Sequence, residues 1–177
     1  MSFALACAST LSGVIHAQQS KPSEYQVKAA YLYNFSRFVE WPAAERGEPF
    51  AICVLGKDPF GTILDATVSG QGTGTQNLVA KRVTKPQDAL ACQILFVGNS
   101  EEDHLKEILA VLGKASVLTV SDIPRFSERG GMIEFLLKGD RVRFEVNLSN
   151  AVNAGLSVSS DLLKVALAVR KNPQSGA

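Results

Sequence analysis

The run from Ser116 to Leu163 constrains the fold more than any other part of this chain. Val142, Phe144, Val146 and Leu148 alternate with Arg141, Arg143, Glu145 and Asn147, the period of two that sets one strand face on a core and the other in water. Upstream, Ile133, Phe135 and Leu137 alternate with Glu134 and Leu136, and Lys138-Gly139-Asp140 joins the two runs as a short Gly-containing connection. The pattern predicts a β-hairpin. Across it Glu134 is expected to face Arg143 or Arg141, a cross-strand pair worth about 0.2–1 kcal/mol.

The stretch that follows, Val146 to Ser160, holds no Lys, Arg, Asp or Glu in a chain that is 20% charged. Two readings account for the gap. One is simple burial, the usual fate of apolar faces. The other is a surface that a second protein covers, because such surfaces are depleted in charge at their centre. Within it Ser149 is placed to cap a short helix through Val152 and Ala154, with Gly155 ending it in the left-handed conformation. Ser159 or Ser160 then caps a last helix through Leu162, Leu163, Val165, Ala166 and Val169.

Earlier in the chain, Ser23 caps a predicted helix with Val27, Ala30, Tyr31, Phe35 and Phe38 on one face, Arg37 and Glu40 on the wet side, and Trp41-Pro42 at its end. Phe50 to Leu55 reads as a fully buried strand. The following Gly56-Lys57-Asp58-Pro59-Phe60-Gly61-Thr62 resembles half of a phosphate-cradling loop. Thr62 stands where its lysine belongs, however, and Pro59 removes a backbone donor, so a tight turn is the expectation. Thr67 to Asn77 is uncharged and rich in Gly, Thr and Gln, and reads as a connection. Strand character returns at Leu78 to Val83 and at Cys92 to Val97, with a short helix over Pro86 to Ala91 between them. A helix with Leu105, Ile108, Leu109 and Leu112 inward leads to the strand Val117 to Val120. Strands alternating with helices predict an α/β fold: a mostly parallel, Rossmann-like sheet with helices on both faces and the C-terminal antiparallel hairpin at an edge. The expected division is one domain over 23–171, with a disordered tail at 172–177.

Candidate chemistry is sparse. Eighteen basic against 17 acidic residues give no electrostatic reason to expect nucleic acid or an anionic membrane surface. Phe3 to Ile15 is apolar, rich in small residues and uncharged, and Ile15-His16-Ala17 precedes the polar Gln18 to Pro22. This reads as a signal peptide over 1–17, cleaved after Ala17, and no apolar run is long enough to span a bilayer. After cleavage His104 is the one histidine left, beside Asp103 and near Glu101 and Glu102. A metal site or a Ser-His-Asp arrangement is therefore not expected, and neither are a cofactor or an enzymatic activity. The loop Asp122 to Gly131 follows a strand where open α/β sheets place ligands, and its Arg125 and Arg129 suit an anion or a partner's carboxylate. As a partner-binding surface, the charge-free stretch and the adjoining hairpin point to Glu145, Leu148, Ala151 and Val158, rimmed by Arg125 and Arg129. A small-molecule binding module using the crevice near Gly56, Gly98 and Asp122 is the alternative.

Asp122 to Leu137 (DIPRFSERGGMIEFLL) and Arg141 to Ala166 (RVRFEVNLSNAVNAGLSVSSDLLKVA) resemble the C-terminal signature of the YfiR family of periplasmic repressors. Tyr25 to Pro42 (YQVKAAYLYNFSRFVEWP), Phe50 to Gly61 (FAICVLGKDPFG) and Cys92 to Glu102 (CQILFVGNSEE) resemble it too, in the same order. The resemblance implies a periplasmic protein, acting as a homodimer, that binds the periplasmic region of an inner-membrane diguanylate cyclase and represses it. It also implies sequestration by an OmpA-like outer-membrane lipoprotein. With Cys7 removed in the signal peptide, Cys53 and Cys92 are left, either as a disulfide or as two reduced core thiols. The resemblance implies the disulfide; a second pair found in some relatives is missing.

Overall fold

The computed structural model describes residues 22–42, 49–70 and 77–171. The expected signal peptide at 1–17 and tail at 172–177 lie outside them. Helix α1 (Glu24–Phe38) opens on a capping box: the Gln26 N–H donates to Ser23 Oγ at 3.3 Å, and the Ser23 N–H donates to Gln26 Oε1 at 2.6 Å. Its buried face is Lys28, Ala29, Leu32, Phe35 and Ser36, whereas Ala30 and Phe38 are exposed and Val27 and Tyr31 only half-buried. The expected face was thus rotated, because a buried ionic partner for Lys28 and rings from the hairpin fix the helix's roll. Phe35 and Tyr31 pack on Phe144 at 5.4 and 5.3 Å between ring centroids.

From α1 the chain runs through β1 (Val39–Glu40) into β2 (Phe50–Leu55), α2 (Thr62–Gly70) and β3 (Leu78–Val83). A 3-10 turn at Pro86–Ala91 leads to β4 (Ile94–Val97), and another at Asn99–His104 to α3 (Leu105–Leu112) and β5 (Leu118–Ser121). The hairpin is β6 (Ile133–Lys138) and β7 (Arg141–Asn147), turning at Gly139 with φ +58°. After it come α4 (Leu148–Asn153), β8 (Ser157–Val158), α5 (Ser160–Val165) and β9 (Ala168–Arg170). The seven-stranded sheet has the order β3-β2-β4-β5-β6-β7-β9, parallel throughout except between β6 and β7, and β1 pairs with β8 separately. This is the α/β architecture the alternation predicted. On one face α1 and α2 cover Ile52, Val54, Phe96, Val120 and Phe144; on the other, α3 and the 3-10 turn before β4 cover Cys53, Leu55, Leu95 and Val97.

Several local expectations needed correction. The connection expected from Thr67 is helical as far as Gly70, since Ile63, Leu64 and Val68 bring an apolar face to the core; 71–76 lie outside the described residues. Asn147, not Ser149, caps α4, accepting from the Asn150 N–H at 3.1 Å. Gly155 does take the left-handed conformation, and Ser159 does cap α5. That last helix stops at Val165, and the segment expected to continue it is β9, which lies parallel to β7. The hairpin is therefore inside the sheet and β9 forms its edge.

Glu134 does not face either arginine. Its register partner is Glu145, and its buried carboxylate turns inward to a loop described below. The turn after β2 is tied shut and does not cradle a phosphate. The Phe60 N–H donates to Asp58 Oδ1, and Arg82 on β3 clamps Asp58, Asp65 and the Gly61 carbonyl. That hydrogen-bonded guanidinium holds the Asp65 carboxyl below the usual carboxylate range.

Candidate functional site

Of the residues singled out for function, Arg125 and Arg129 lie in the loop between β5 and β6, Glu145 and Leu148 on the adjoining β7 and α4, and Val158 in β8. The loop's shape is set by one buried side chain. Glu134 Oε1 accepts from the Arg125 N–H at 2.9 Å, and Oε2 accepts from the Ser127 N–H at 3.0 Å and from Ser127 Oγ at 2.9 Å. A carboxylate taking several local donors is a strong pin, since charged hydrogen bonds run at roughly twice the strength of neutral ones. The loop is then stitched to α4: Asn147 Nδ2 donates to the Ser127 carbonyl at 2.9 Å and Asn150 Nδ2 to the Gly130 carbonyl at 2.8 Å. Gly131 has no alternative here, because a Cβ would fall 2.1 Å from the Phe126 ring.

Glu134→Ala strands those three donors, two of them on buried groups, and is expected to cost about 3 kcal/mol. Glu134→Gln, which keeps one acceptor oxygen, should lose about half as much. Urea denaturation of the two variants against the parent measures both; equal stability of all three would mean that the loop does not depend on this carboxylate.

The pinned loop holds Arg125 at φ +58°, the one non-glycine residue with positive φ among those described. Its guanidinium is exposed and makes no hydrogen bond or ion pair with other described residues. Left-handed backbone at a residue with a side chain costs about 1–3 kcal/mol and persists where surroundings impose it, often at binding sites. Arg129, by contrast, is engaged: Nη1 donates to Glu102 Oε1 and Nη2 to the Glu102 carbonyl, each at 3.0 Å. Glu145 is half-buried and held by Arg170 Nε and Nη2 at 3.2 and 3.0 Å, and Arg170 also pairs with Glu128 at 3.1 Å. Leu148 is half-buried at the start of α4. Val158 is half-buried against the core in β8, opposite Val39.

Ala151 does not belong to any contact surface. It is fully buried in the core beneath α4, so an arginine there would break the core and report nothing about docking. The charge-free stretch mixes both readings: Val146, Asn147, Ala151, Ala154 and Leu156 are buried, while Val152 and Asn153 stand in solvent. Sequence reasoning missed Val152, 59% exposed, and the row Val165, Leu167 and Val169 beside the open edge of the sheet, all exposed. Their alternation with Ala166 and Ala168 was the available signal.

On the other side of the loop a cleft of about 460 Å³ opens between α1, Asp122 and the end of β6. Lys28, with its side chain 3% exposed, donates to Asp122 Oδ2 at 2.5 Å and to Glu24, and the Tyr25 hydroxyl donates to the same Asp122 oxygen at 3.1 Å. Burial first, then the Asp122 charge, pushes the Tyr25 hydroxyl up to about 12, so it stays a donor. Asp122 Oδ1 is buried and has no hydrogen-bond partner among the described residues. The Gly56 and Gly98 parts of the expected crevice are filled. Ser100 Oγ accepts from the Lys57 N–H at 2.9 Å, a Cβ on Gly56 would fall 2.5 Å from Glu101 and Ser100, and one on Gly98 2.9 Å from the Lys57 carbonyl.

On the face opposite α1, Cys53 of β2 and Cys92 ahead of β4 form a disulfide with Cα atoms 6.1 Å apart. The even cysteine pair is thus bridged, as the resemblance implied. Among the described residues no helix is long and apolar enough to cross a membrane, and no cluster of His, Cys, Asp and Glu is arranged to hold a metal ion.

Residues 25–167 match the model of a protein family described as YfiR/HmsC-like. The chain belongs to that family. The YfiR/HmsC-like family is regulatory and periplasmic, and its members generally partner a periplasmic diguanylate cyclase sensor domain. Two solved structures share the fold. One is a conserved domain protein from Vibrio cholerae O1 biovar El Tor, with a TM-score of 0.60 and 11% identity, covering 84% of this chain and 60% of that one. The other is described as the ABC domain in complex with L-Trp from Streptococcus pneumoniae, with a TM-score of 0.57 and 10% identity, covering 80% of this chain and 60% of that one. The YfiR/HmsC-like chain thus spans about 60% of the length of each.

Proposed function

We propose that this YfiR/HmsC-like protein is exported, loses residues 1–17, and represses an inner-membrane diguanylate cyclase by binding its periplasmic sensor region. The observation that carries the reading is the family match over 25–167; the disulfide, at home in an oxidising compartment, agrees with it. Repression then needs no chemistry from this chain. It needs only higher affinity for the inactive arrangement of the cyclase than for the active one, because a ligand shifts an equilibrium by no more than that difference. A homodimer is the proposed repressing form, and an OmpA-like outer-membrane lipoprotein the partner that draws it off the cyclase and so raises cyclic di-GMP. Calorimetry of the mature protein with the cyclase's periplasmic region tests the reading, and saturable binding is expected. N-terminal sequencing of periplasmic material should begin at Gln18.

For the contact surface we keep Leu148, Val158, Glu145, Arg125 and Arg129 and put Val152 in place of the buried Ala151. Val152 points into solvent, so Val152→Arg changes the surface without touching the core. The variant is expected to melt within a few degrees of the parent and to bind the sensor region at least tenfold more weakly. A folded Val152→Arg protein that binds as the parent does would remove this patch from the account.

The small-molecule reading attaches to the Asp122 cleft, where a buried acceptor has no donor among the described residues. It stands beside repression as an additional property and does not compete with it.

A further inference from the structure

The cleft at Asp122 has the makings of a specific site. It opens past the carboxyl end of β5, the side on which parallel sheets bind their ligands, and runs along β6 from Glu134 to Leu137. The Asp122 side chain is 9% exposed, and only Oδ2 is used, by Lys28 and Tyr25. Its other oxygen has no donor among the described residues, an expensive state for a buried acceptor and one that an incoming N–H relieves. Lys28 is already shared between Glu24 and Asp122, so these three side chains together retain negative charge. Tyr25 and Phe135 add rings to the cleft wall, though the Lys28 ammonium already lies 4.5 Å from the Tyr25 ring centroid and 5.9 Å from that of Phe135. At the rim stands Arg125, in left-handed backbone, with its guanidinium exposed.

We infer that this cleft binds a small primary amine, whose ammonium donates to Asp122 Oδ1, and that Arg125 favours amines that also carry a carboxylate. A charged amine fits better than an alcohol because it supplies both the missing donor and the balancing charge. A divalent cation fits worse, since one free carboxylate oxygen next to a lysine ammonium is no ligand set for it. The inference rests on the small-molecule reading; Arg125 is shared with the proposed cyclase contact surface but Asp122 is not, so amine affinity at Asp122 can fail without repression and repression without it.

Calorimetry of the mature protein with 4-aminobutyrate, putrescine, 4-hydroxybutyrate and acetate as probes tests it. The expected order is 4-aminobutyrate tightest, putrescine several-fold weaker, and the two amine-free acids without measurable binding. Asp122→Asn keeps the side chain's shape and an oxygen for Lys28, and should weaken both amines at least tenfold. Arg125→Gly removes the guanidinium and relaxes the backbone, and should bring 4-aminobutyrate down to the level of putrescine. The parent protein decides the matter even if a variant fails to fold: no heat with either amine at millimolar concentration, or 4-hydroxybutyrate binding as tightly as 4-aminobutyrate, overturns the inference. So does an Asp122→Asn protein with parental melting temperature and undiminished amine affinity.

Discussion

A Lys28→Met variant is expected to lose about 3–5 kcal/mol of stability, the range found when one partner of a buried ion pair is removed. Lys28 is 2% exposed, and its ammonium is a donor to both Glu24 and Asp122. Methionine fills the stem's volume, so packing changes little, but Asp122 is left as a buried carboxylate with only the Tyr25 hydroxyl as donor among the described residues. In a protein of this size the loss corresponds to a fall in Tm of roughly 6–20 °C. Asp122→Asn in the Lys28→Met background should recover part of it, because a neutral amide in the same place no longer carries a charge. Thermal denaturation of the single and double variants measures the coupling. A Lys28→Met protein as stable as the parent would show that the helix is not anchored through this lysine.

Replacing Cys53 and Cys92 together by Ala is expected to cost about 4 kcal/mol. The bridge spans a sequence separation of 39, and closing a loop of that order removes conformational freedom from the unfolded chain by about that amount in the chain-entropy account. The native state gains a second penalty, as both side chains sit in the core between β2 and the segment leading into β4. Urea denaturation of the double variant gives the difference. Non-reducing mass spectrometry of the parent protein should find the mature chain without free thiols, and two free thiols would remove this contribution altogether.

These two effects also show what was legible in the sequence and what was not. The hairpin, the buried strands and the Ser23 cap announce themselves through signals of a few residues, and the sequence placed each within a residue or two of where it lies. The cysteine pair was legible because Cys53 and Cys92 are the only cysteines besides Cys7. Lys28 was not, because nothing around it in the chain shows that Asp122, 94 residues away, meets it in the core. A lysine flanked by Ala29 and Ala30 looks like a solvated position until that partner is in place.

Glu134 misled for a related reason. Period-two alternation gives the face it lies on but not its partners, and three donors from the loop outcompete a cross-strand arginine. The end of the chain was misread as one helix because Leu162, Leu163, Val165, Ala166 and Val169 fit a 3.6 period. Three residues of β9 are too short a strand to declare themselves, and the sheet's need for a partner along β7 decided their conformation. At the candidate site, Arg125, Arg129 and Asp122 were found through their loop's position after a strand, whereas the burial of Ala151 and the exposure of Val152 depend on how α4 is rolled by Asn147 and Asn150.

Repression itself is most directly tested by the cyclic di-GMP level of the native host after deletion of this chain. The account predicts a several-fold rise that is reversed by the exported protein and not by a form lacking residues 1–17. An unchanged or lower level in the deletion strain, with the cyclase present, would contradict it.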